Sequence, residues 1–342
     1  MAIRLKDIAR DLGISTVTVS KVLRGNQDIS EKTRARVLKR MQELDYKPNM
    51  LARGLASGRT YTMGLVVPDL VHPFFAEFAK SLAGVLRESH MALLLASSEE
   101  KPELEQQEIR TLLARGVDAL LIASSQARLK SFYELGDEKT PFLLVDRNFP
   151  YLSAHFVGSD DYKIGCIATE HLIEHGYKRI LCLGGETTLY TMRERLRGYR
   201  HAIEESGMIP IVDMSVKDYK SAEYAVESYL AAAQPPDAIF TLKNSITIFA
   251  FETLQKLKVS VPKSIALLGF DDFELASTLR PSISVIQQPI EDMGRIATEI
   301  LFEQLLPTKK GKHQLARKKQ DLVKLETKLV LRNSCGCNPA TA

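Results

Sequence analysis

Apolar and polar positions alternate with a helical period over the first sixty residues. The apolar residues of Leu5–Leu12 fall on one face, which predicts a short amphipathic helix. Gly13 supplies a tight turn, and Ser15 can cap a second helix because its hydroxyl accepts hydrogen bonds from first-turn amides. The second helix is predicted to turn Val19, Val22 and Leu23 inward and Thr16, Val17, Ser20, Lys21 and Arg24 outward.

Two short helices joined by a glycine turn are the helix-turn-helix arrangement that reads a DNA major groove. The outward hydroxyls, methyl group and cations of the second helix favour this interpretation, because such groups contact bases and phosphates. A third helix is predicted from Ser30 to about Leu44, with Val37, Leu38, Met41 and Leu44 inward. It should end before Pro48, since proline disfavours helix at the preceding residue.

The sequence of residues 49–57 predicts a helix that is not stable in isolation. Asn49 can cap it, but nine residues fall short of the roughly 12–15 that a marginally stable isolated helix needs. Gly54 costs about a further 1 kcal/mol relative to alanine. We therefore expect this segment to be ordered only when something holds it. A plain flexible tether is the alternative, although it would leave Leu51 and Leu55 exposed.

From Met63 onwards, short apolar runs alternate with amphipathic segments. Strands are predicted at 63–67, 92–95, 119–122, 142–145, 180–183, 238–241 and 265–269. Helices are predicted near 75–89, 103–115, 162–175, 193–206, 221–232 and 245–257. Such strands indicate parallel sheets that are buried on both faces and that bind ligands at the carboxyl ends of their strands. The number of units favours two doubly wound lobes, divided near residues 161 and 289.

Four motifs carry a resemblance to a known family. They are DIA at 7–9, GISTVTVS at 13–20, SEKTR at 30–34 and YKPNMLARGL at 46–55. Together they resemble the amino-terminal headpiece of the LacI/GalR repressors, and bare helix-turn-helix patterns lack the third helix and the hinge. The resemblance implies a periplasmic-binding-protein-like effector domain behind the headpiece, in which the chain crosses between lobes three times.

The predicted fold class is α/β, with a small all-α headpiece and a two-lobed, doubly wound parallel-sheet domain. The predicted domains are a headpiece at 1–47, a hinge at 48–60 and an effector-binding and dimerisation domain at 61–342. Lobe 1 is expected at about 61–161 and 290–320, and lobe 2 at about 162–289 and 321–342. A closing strand is predicted at 324–332, and residues 307–320, with six basic residues and no acid, are expected to form a solvated loop.

The resemblance implies that the second helix lies in a major groove, so that a homodimer reads a pseudopalindromic operator. Thr16, Val17 and Lys21 are the candidate base contacts, since valine can contact a thymine methyl and lysine can donate to guanine. The candidate phosphate contacts are Lys6, Ser15, Ser20, Arg24, Asn26 and Thr33. The candidate minor-groove contacts of the hinge are Asn49, Ala52 and Leu55, with Leu55 wedged between base pairs.

Polar pairs follow several predicted strands, and carboxylates, arginine and an aromatic face would together suit a polyhydroxylated ligand. Among these pairs are Ser97-Ser98, Asp146-Arg147 and Lys243-Asn244. The resemblance implies effector contacts from Asp69, Phe75, Asp161, Arg195, Asn244, Asp271 and Gln288. His72 replaces the family's usual asparagine in the segment HPFF at 72–75. A neutral sugar is favoured because Asp161 and Asp271 would repel an anion, while Lys243 and Arg195 keep a sugar phosphate as the alternative.

Charge is unevenly distributed along the 342 residues. Residues 1–60 carry 13 lysines and arginines against six acids, whereas the remainder is slightly acidic. A basic small domain is typical of attraction to the phosphate backbone. No apolar run is long enough to span a membrane, and folded-looking sequence occupies the place of a signal peptide, so a cytoplasmic location is predicted. A periplasmic transport receptor would need such a peptide.

No catalytic or metal-binding pattern is evident. Adjacent acids such as Asp271-Asp272 usually point apart, and Gly184-Gly185 lacks the further residues of a phosphate-binding loop. Cys335-Gly-Cys337 could bind a metal or oxidise, but no second Cys/His pair is near it in the sequence, so free thiols are expected. The chain is therefore predicted to be a ligand-responsive repressor, without a cofactor, rather than an enzyme. Whether the ligand induces or corepresses is left open.

Overall fold

The structure of the protein is a computed structural model that describes residues 3–23, 28–46, 58–126, 132, 135, 140–149, 152–305 and 321–337. Contacts divide the chain into two compact units, Met1–Thr60 and Tyr61–Ala342. Among the described residues, no helix is long and apolar enough to cross a membrane.

In its described residues, 3–23, 28–46 and 58–60, the first unit contains three helices, α1 (Leu5–Leu12), α2 (Thr16–Leu23) and α3 (Glu31–Glu43). Gly13 adopts a left-handed conformation (φ 64°) after α1, which glycine tolerates without steric cost. The Ser15 hydroxyl accepts from the Thr18 amide at 3.1 Å, as the predicted cap requires. The core contains Ile8, Ala9, Val19, Val22, Val37 and Met41.

One predicted core residue of α3 is misplaced. Leu38 is 50% exposed, whereas Val37 and Met41 are buried. Successive helical positions are separated by about 100°, so a stripe that places Val37 and Met41 inward turns Leu38 to the side. The prediction of Leu38 as a core residue is therefore wrong.

The second unit alternates strands and helices. Its first part consists of β1 (Thr62–Val67), α4 (Pro73–Glu88), β2 (Ala92–Ser97), α5 (Pro102–Ala114), β3 (Ala119–Ile122), β4 (Phe142–Val145) and β5 (His155–Ser159). Then follow α6 (Asp161–Glu174), β6 (Ile180–Leu183), α7 (Tyr190–Glu205), β7 (Ile211–Asp213), α8 (Tyr219–Leu230), β8 (Ala238–Thr241), α9 (Asn244–Lys256) and β9 (Ala266–Phe270). The last elements are β10 (Ser284–Gln287), α10 (Ile290–Leu305), β11 (Leu322–Leu325) and β12 (Lys328–Val330).

The strands form two sheets of six. The first has the order β11-β5-β4-β3-β1-β2 and the second the order β12-β10-β9-β8-β6-β7. All neighbours are parallel except β12, which runs antiparallel to β10. Helices cover both sheets; α10, for example, packs on α4 and buries Met293, Ala297 and Leu301 in the core of the first sheet. We call the two sheets with their helices lobe 1 and lobe 2.

Three of the described strands lie outside both the seven predicted runs and the predicted closing strand at 324–332. β5 begins with His155 and contains Gly158, β7 has only three residues, and β10 is bounded by Ser284 and Gln287. Each lacks the long apolar run that marks a buried strand, because its place in the sheet is set by neighbours that are distant in the sequence.

The carboxyl-terminal part of the prediction is also corrected. The single strand predicted at 324–332 is two strands, and β11 pairs with β5 of lobe 1, although 321–342 was assigned to lobe 2. The third crossing therefore lies between Leu325 and Lys328, not near residue 320. The other crossings follow β5 and β10, so all three connections are one or two residues long.

Candidate functional site

A cavity of about 600 Å³ lies where the carboxyl ends of both sheets meet. Its lining from lobe 1 includes Asp69, His72, Phe75, Glu100, Asp146 and Arg147. Its lining from lobe 2 includes Glu186, Arg195, Lys217, Lys243, Asp271 and Gln288. This is the edge where parallel sheets present ligand-binding groups.

The seven predicted effector residues divide into two groups. Five line the cavity, namely Asp69, Phe75, Arg195, Asp271 and Gln288. The other two, Asp161 and Asn244, are only 2% and 3% exposed and are not lining residues. The structure therefore brings all seven to one region, but Asp161 and Asn244 lie behind the surface that a ligand would touch.

Arg195 is held rigidly by groups behind the cavity. Its Nε donates to Asp161 Oδ1 at 2.7 Å, and its Nη1 donates to the Leu242 carbonyl at 2.8 Å. Its guanidinium also lies 3.6 Å from the centroid of the Phe270 ring. Asp161 thus orients Arg195, which is the residue of this pair that lines the cavity.

Two glycines allow the Asp161–Arg195 pair to form. A Cβ atom on Gly165 of α6 would lie 2.2 Å from the Arg195 carbonyl oxygen, and one on Gly198 of α7 would lie 2.1 Å from the Tyr162 carbonyl oxygen. Since real Cβ atoms do not approach backbone so closely, α6 and α7 can touch here only without side chains. The helix contact places the first residue of α6 beside the middle of α7.

A chain of hydrogen bonds connects the two lobes below the cavity. The Ser159 hydroxyl, at the end of β5, donates to Gln288 Oε1 at 2.8 Å, and Gln288 Nε2 donates to Asp271 Oδ1 at 2.7 Å. Asp271 follows β9 and has a left-handed backbone (φ 59°). Asp146 follows β4, the equivalent strand of lobe 1, and has the same conformation (φ 64°). The lobes therefore present matching aspartates to one cavity.

A second ion pair, between buried Arg147 and the more exposed Glu100, is not predicted by the sequence. The guanidinium of Arg147 donates to both Glu100 carboxylate oxygens, at 2.8 and 2.7 Å, and to the Ser124 carbonyl at 3.0 Å. The pair Asp146-Arg147 was noted as a strand-end motif, but Glu100 follows β2 with no pattern to mark it. Glu100 reaches Arg147 from the loop after β2, although β1 and β3 lie between β2 and β4 in the sheet.

Burial changes the protonation of several acids at the cavity. It raises the pKa of Asp161 to about 7, against the opposing effect of Arg195, and raises the pKa of Asp271 to about 6. Burial also raises the pKa of Asp146. Burial, together with nearby Lys243, lowers the pKa of His72 to about 4. The cavity therefore offers a neutral imidazole and carboxyl groups that ionise closer to neutrality than usual.

Asp271→Asn should make the protein more stable at neutral pH and leave its stability nearly unchanged at pH 4. Asp271 keeps its proton in the folded state up to about pH 6, whereas the unfolded chain loses it near pH 3.8, so wild-type stability falls across this window and is constant above it. Asparagine retains the acceptor for Gln288 and tolerates the left-handed backbone. Urea unfolding at several pH values should show that the difference in free energy of unfolding between Asp271→Asn and the wild type grows to roughly 2–3 kcal/mol above pH 6. A stability difference that does not change with pH would contradict the raised pKa of Asp271.

In the first unit, the outward face of α2 has the exposure that base contacts need. Thr16 is exposed, and Val17 is 58% exposed. Lys21 Nζ forms an ion pair with Asp28 at 2.5 Å, so it must leave this acid to reach a base. Lys6 of α1 is exposed, and Ser20 is half-buried.

Two predicted phosphate contacts have structural partners. The Ser15 hydroxyl caps α2 and contacts the Thr18 hydroxyl at 2.9 Å, and the Thr33 hydroxyl contacts that of Ser30 at 2.9 Å. The remaining predicted DNA contacts, Arg24, Asn26, Asn49, Ala52 and Leu55, lie outside the described residues.

Both units match known protein families. Residues 4–49 match the bacterial regulatory proteins of the lacI family, and residues 60–324 match the periplasmic binding proteins and sugar binding domain of the LacI family. The ribose operon repressor of Haemophilus influenzae is 30% identical over 304 residues, covering 88% of this chain and 91% of that protein.

Solved structures show the same architecture. The Lac repressor bound to ONPG superimposes with a TM-score of 0.84 at 21% identity, covering 98% of this chain and 100% of that one. The CelR–cellobiose complex superimposes with a TM-score of 0.68 at 27% identity, covering 97% and 99%. The chain therefore belongs to the LacI family of bacterial regulatory proteins, which confirms the predicted fold class and a DNA-binding regulatory function rather than an enzymatic one.

Proposed function

We propose that the protein is a cytoplasmic, homodimeric repressor of carbohydrate-metabolism genes and that a small neutral sugar controls its operator affinity. The observation that carries this proposal is the cavity between the carboxyl ends of the two sheets, with fixed polar groups from both lobes. A sugar as the ligand class is supported by two similar proteins. One is a ribose operon repressor, and the other is a regulator solved with cellobiose.

The arrangement of the lining groups suits adjacent hydroxyls. Arg195 presents a guanidinium that Asp161 holds in place, and Asp271 presents a carboxyl group that is held by Gln288. Phe75 offers an aromatic ring to the apolar face of a sugar, as its position in the lining allows. Because these donors and acceptors are already oriented, ordering their side chains would cost little binding free energy when a sugar binds.

The second candidate is a sugar phosphate or another anionic metabolite, which would act as a corepressor. Lys243 favours it, since among the described residues no carboxylate lies within ion-pair distance of its ammonium group, which borders the cavity. Against it, Asp69, Asp146, Glu186 and Asp271 also line the cavity and would repel an anion. Asp161 adds little to this repulsion, because it is already paired with Arg195.

A thermal-shift screen of the full-length protein against matched neutral sugars and sugar phosphates tests the two candidates. Stabilisation follows RT ln(1 + [L]/Kd), so about 2.7 kcal/mol is expected when the ligand is at 100 times its Kd. We expect a neutral sugar to raise Tm and Lys243→Met to leave that shift unchanged. A shift only with phosphorylated sugars, lost in Lys243→Met, would favour the anionic ligand instead.

The proposed regulation links cavity closure to DNA binding through the hinge. A ligand that contacts both lobes changes their orientation, and this change decides whether the hinge segments of a dimer can become helical together in the minor groove. The contacts proposed there are those of Asn49, Ala52 and Leu55. A coupling of about 1–3 kcal/mol would change operator affinity 5–150-fold. Gel-shift titrations with and without the sugar measure this change and its sign.

Lys21→Ala should relax base preference at one symmetric pair of operator positions. A good base contact contributes about 1–3 kcal/mol, and Lys21 lies on the face of α2 that carries Thr16 and Val17. Lys6→Ala is the matched control. Loss of a phosphate contact should weaken binding to all operator sequences alike and lower the salt dependence of binding by about one phosphate contact. Selection from randomised operators measures both effects. The opposite pattern would mean that Lys6 reads a base and Lys21 binds a phosphate.

A further inference from the structure

Two histidines and two cysteines meet at the carboxyl-terminal end of α6, outside the cavity. His171 lies in the last turn of α6 and His175 directly follows this helix, while Cys335 and Cys337 belong to the last described segment. One ligand atom from each of His171, Cys335 and Cys337 lies within 4.8 Å of the others. The fourth group is close too, since His175 Nε2 lies 2.9 Å from Cys337 Sγ.

This cluster was not predicted because its two histidines and its two cysteines are far apart in the sequence. The two histidines are four residues apart, which places both imidazoles on one side of a helix, as in helical metal sites. Cys335-Gly-Cys337 was expected to hold free thiols because no Cys/His pair was near it in the sequence. In the fold, His171 and His175 are that pair, and the expectation loses its basis.

The distances suit a tetrahedral ion. Zinc binds sulfur at about 2.3 Å and imidazole nitrogen at about 2.0–2.1 Å, which separates a ligand sulfur from a ligand nitrogen by roughly 3.5 Å. The measured distance between Cys337 Sγ and His171 Nε2 is 3.6 Å. The distance from Cys337 Sγ to His175 Nε2, 2.9 Å, is shorter than this separation, so the exposed His175 side chain would have to move away from Cys337 to bind the ion.

Neighbouring groups orient the candidate ligands. His175 Nδ1 lies 2.8 Å from the His171 carbonyl, and because a carbonyl only accepts, Nδ1 carries the proton in this contact. The lone pair is therefore on Nε2, the atom that faces Cys337. The Ser284 hydroxyl donates to Cys335 Sγ at 3.0 Å. Hydrogen bonds of this kind fix the tautomer and direction of ligands in known metal sites.

The segment that carries the cysteines is itself anchored. The Ser334 hydroxyl donates to the Leu267 carbonyl at 2.6 Å and accepts from the Ser284 amide at 2.8 Å. The Tyr177 hydroxyl donates to the Cys335 carbonyl at 3.2 Å. Cys335 and His171 are buried, whereas Cys337 is half-buried and His175 is exposed, which leaves a route from solvent to the site.

We propose that His171, His175, Cys335 and Cys337 bind one zinc ion per chain as a tetrahedral site. Two thiolates and two imidazoles are a ligand set that zinc prefers, and with four protein ligands the site would be structural. The ion would connect the carboxyl-terminal segment to α6, whose first residue, Asp161, holds Arg195. Lobe 2 would then depend on zinc for part of its stability.

The test uses full-length, metal-free protein kept reduced and free of oxygen. Titration with zinc in competition with a chromophoric chelator should give one bound ion per chain. Cobalt in place of zinc should give the intense visible bands of a tetrahedral complex and a sulfur-to-cobalt charge-transfer band. Bound zinc should also raise Tm and protect the half-buried Cys337, but not the half-buried Cys166, from alkylation.

Variants identify the ligands. His175→Ala and Cys337→Ser change partly exposed residues, so they should fold and yet lose at least the 10–100-fold in affinity that even supporting residues contribute. Cys166→Ser and His201→Ala, on α6 and α7, are the matched controls and should bind zinc as the wild type does. The proposal is overturned by a stoichiometry near zero, by a cobalt spectrum without sulfur charge transfer, or by unchanged affinity in both ligand variants.

Discussion

Arg195→Ala should abolish the response to the sugar and destabilise the protein by about 3–5 kcal/mol. The substitution removes a lining guanidinium and leaves Asp161, whose side chain is 1% exposed, without its partner in the interior. Removing one member of a buried ion pair generally has this cost, because the remaining carboxyl group must keep a desolvated charge or take up a proton. The Leu242 carbonyl and the Phe270 ring also lose their contacts with Arg195. Urea unfolding measures the stability, and calorimetry with the sugar found by thermal shift measures binding.

Two further variants separate loss of binding from loss of folding. Arg197→Ala, on the same helix but with a side chain that is 61% exposed, should change neither quantity by more than about 1 kcal/mol. Asp161→Asn combined with Arg195→Ala replaces the unpaired carboxyl group with a neutral amide, so it should recover much of the stability but none of the sugar binding. If Arg195→Ala binds the sugar with wild-type affinity, the cavity has been assigned wrongly.

Gly165→Ala should reduce both stability and sugar affinity, although no atom of Gly165 lines the cavity. The new Cβ would meet the Arg195 carbonyl oxygen at 2.2 Å and the Tyr199 amide nitrogen at 2.9 Å, and neither backbone atom can rotate away. Helices α6 and α7 must therefore separate. We expect a cost above the about 1–3 kcal/mol of ordinary overpacking, together with displacement of Arg195 from Asp161.

The matched control is Gly84→Ala on α4. A Cβ atom there meets nothing within 4 Å, so alanine should be neutral or stabilise by about 0.5–1 kcal/mol through its better helix propensity. Chemical denaturation of both variants gives the comparison. Equal stability of Gly165→Ala and Gly84→Ala would show that the two helices tolerate a side chain at their contact.

The sequence allowed prediction of those elements whose signal is local. The headpiece helices and the six central helices of the second unit have clear 3.6-residue patterns, and the structure places them within a few residues of the prediction. β5, β7 and β10 lack such a signal, since their burial comes from neighbouring strands. β11 was assigned to the wrong lobe because a short strand carries no mark of the sheet that it joins.

In the candidate site too, the residues that could be predicted were those with a local signal in the sequence. Strand-end polar residues such as Asp271 and Gln288 were predicted because strand ends can be read from the sequence, and the family resemblance selected among them. Glu100 was missed because it lies in the loop after β2, and only the folded chain brings this loop to Arg147. The resemblance also could not separate Asp161, which supports Arg195 from behind, from residues that line the cavity. Depth below a surface is a property of packing, and neighbouring positions in a sequence do not report it.

The pairing of β11 with β5 has a consequence for the order in which the chain folds during synthesis. Strand β5 is complete at Ser159, but its outer neighbour, Leu322–Leu325, is synthesised only after β6 to β10 of lobe 2. Until then β5 is an edge strand whose free amides and carbonyls can pair with another nascent chain. The sheet of lobe 1 therefore stays incomplete until most of lobe 2 has been synthesised. We expect nascent chains that stop before residue 322 to bind chaperones that recognise extended segments and to aggregate when those are depleted.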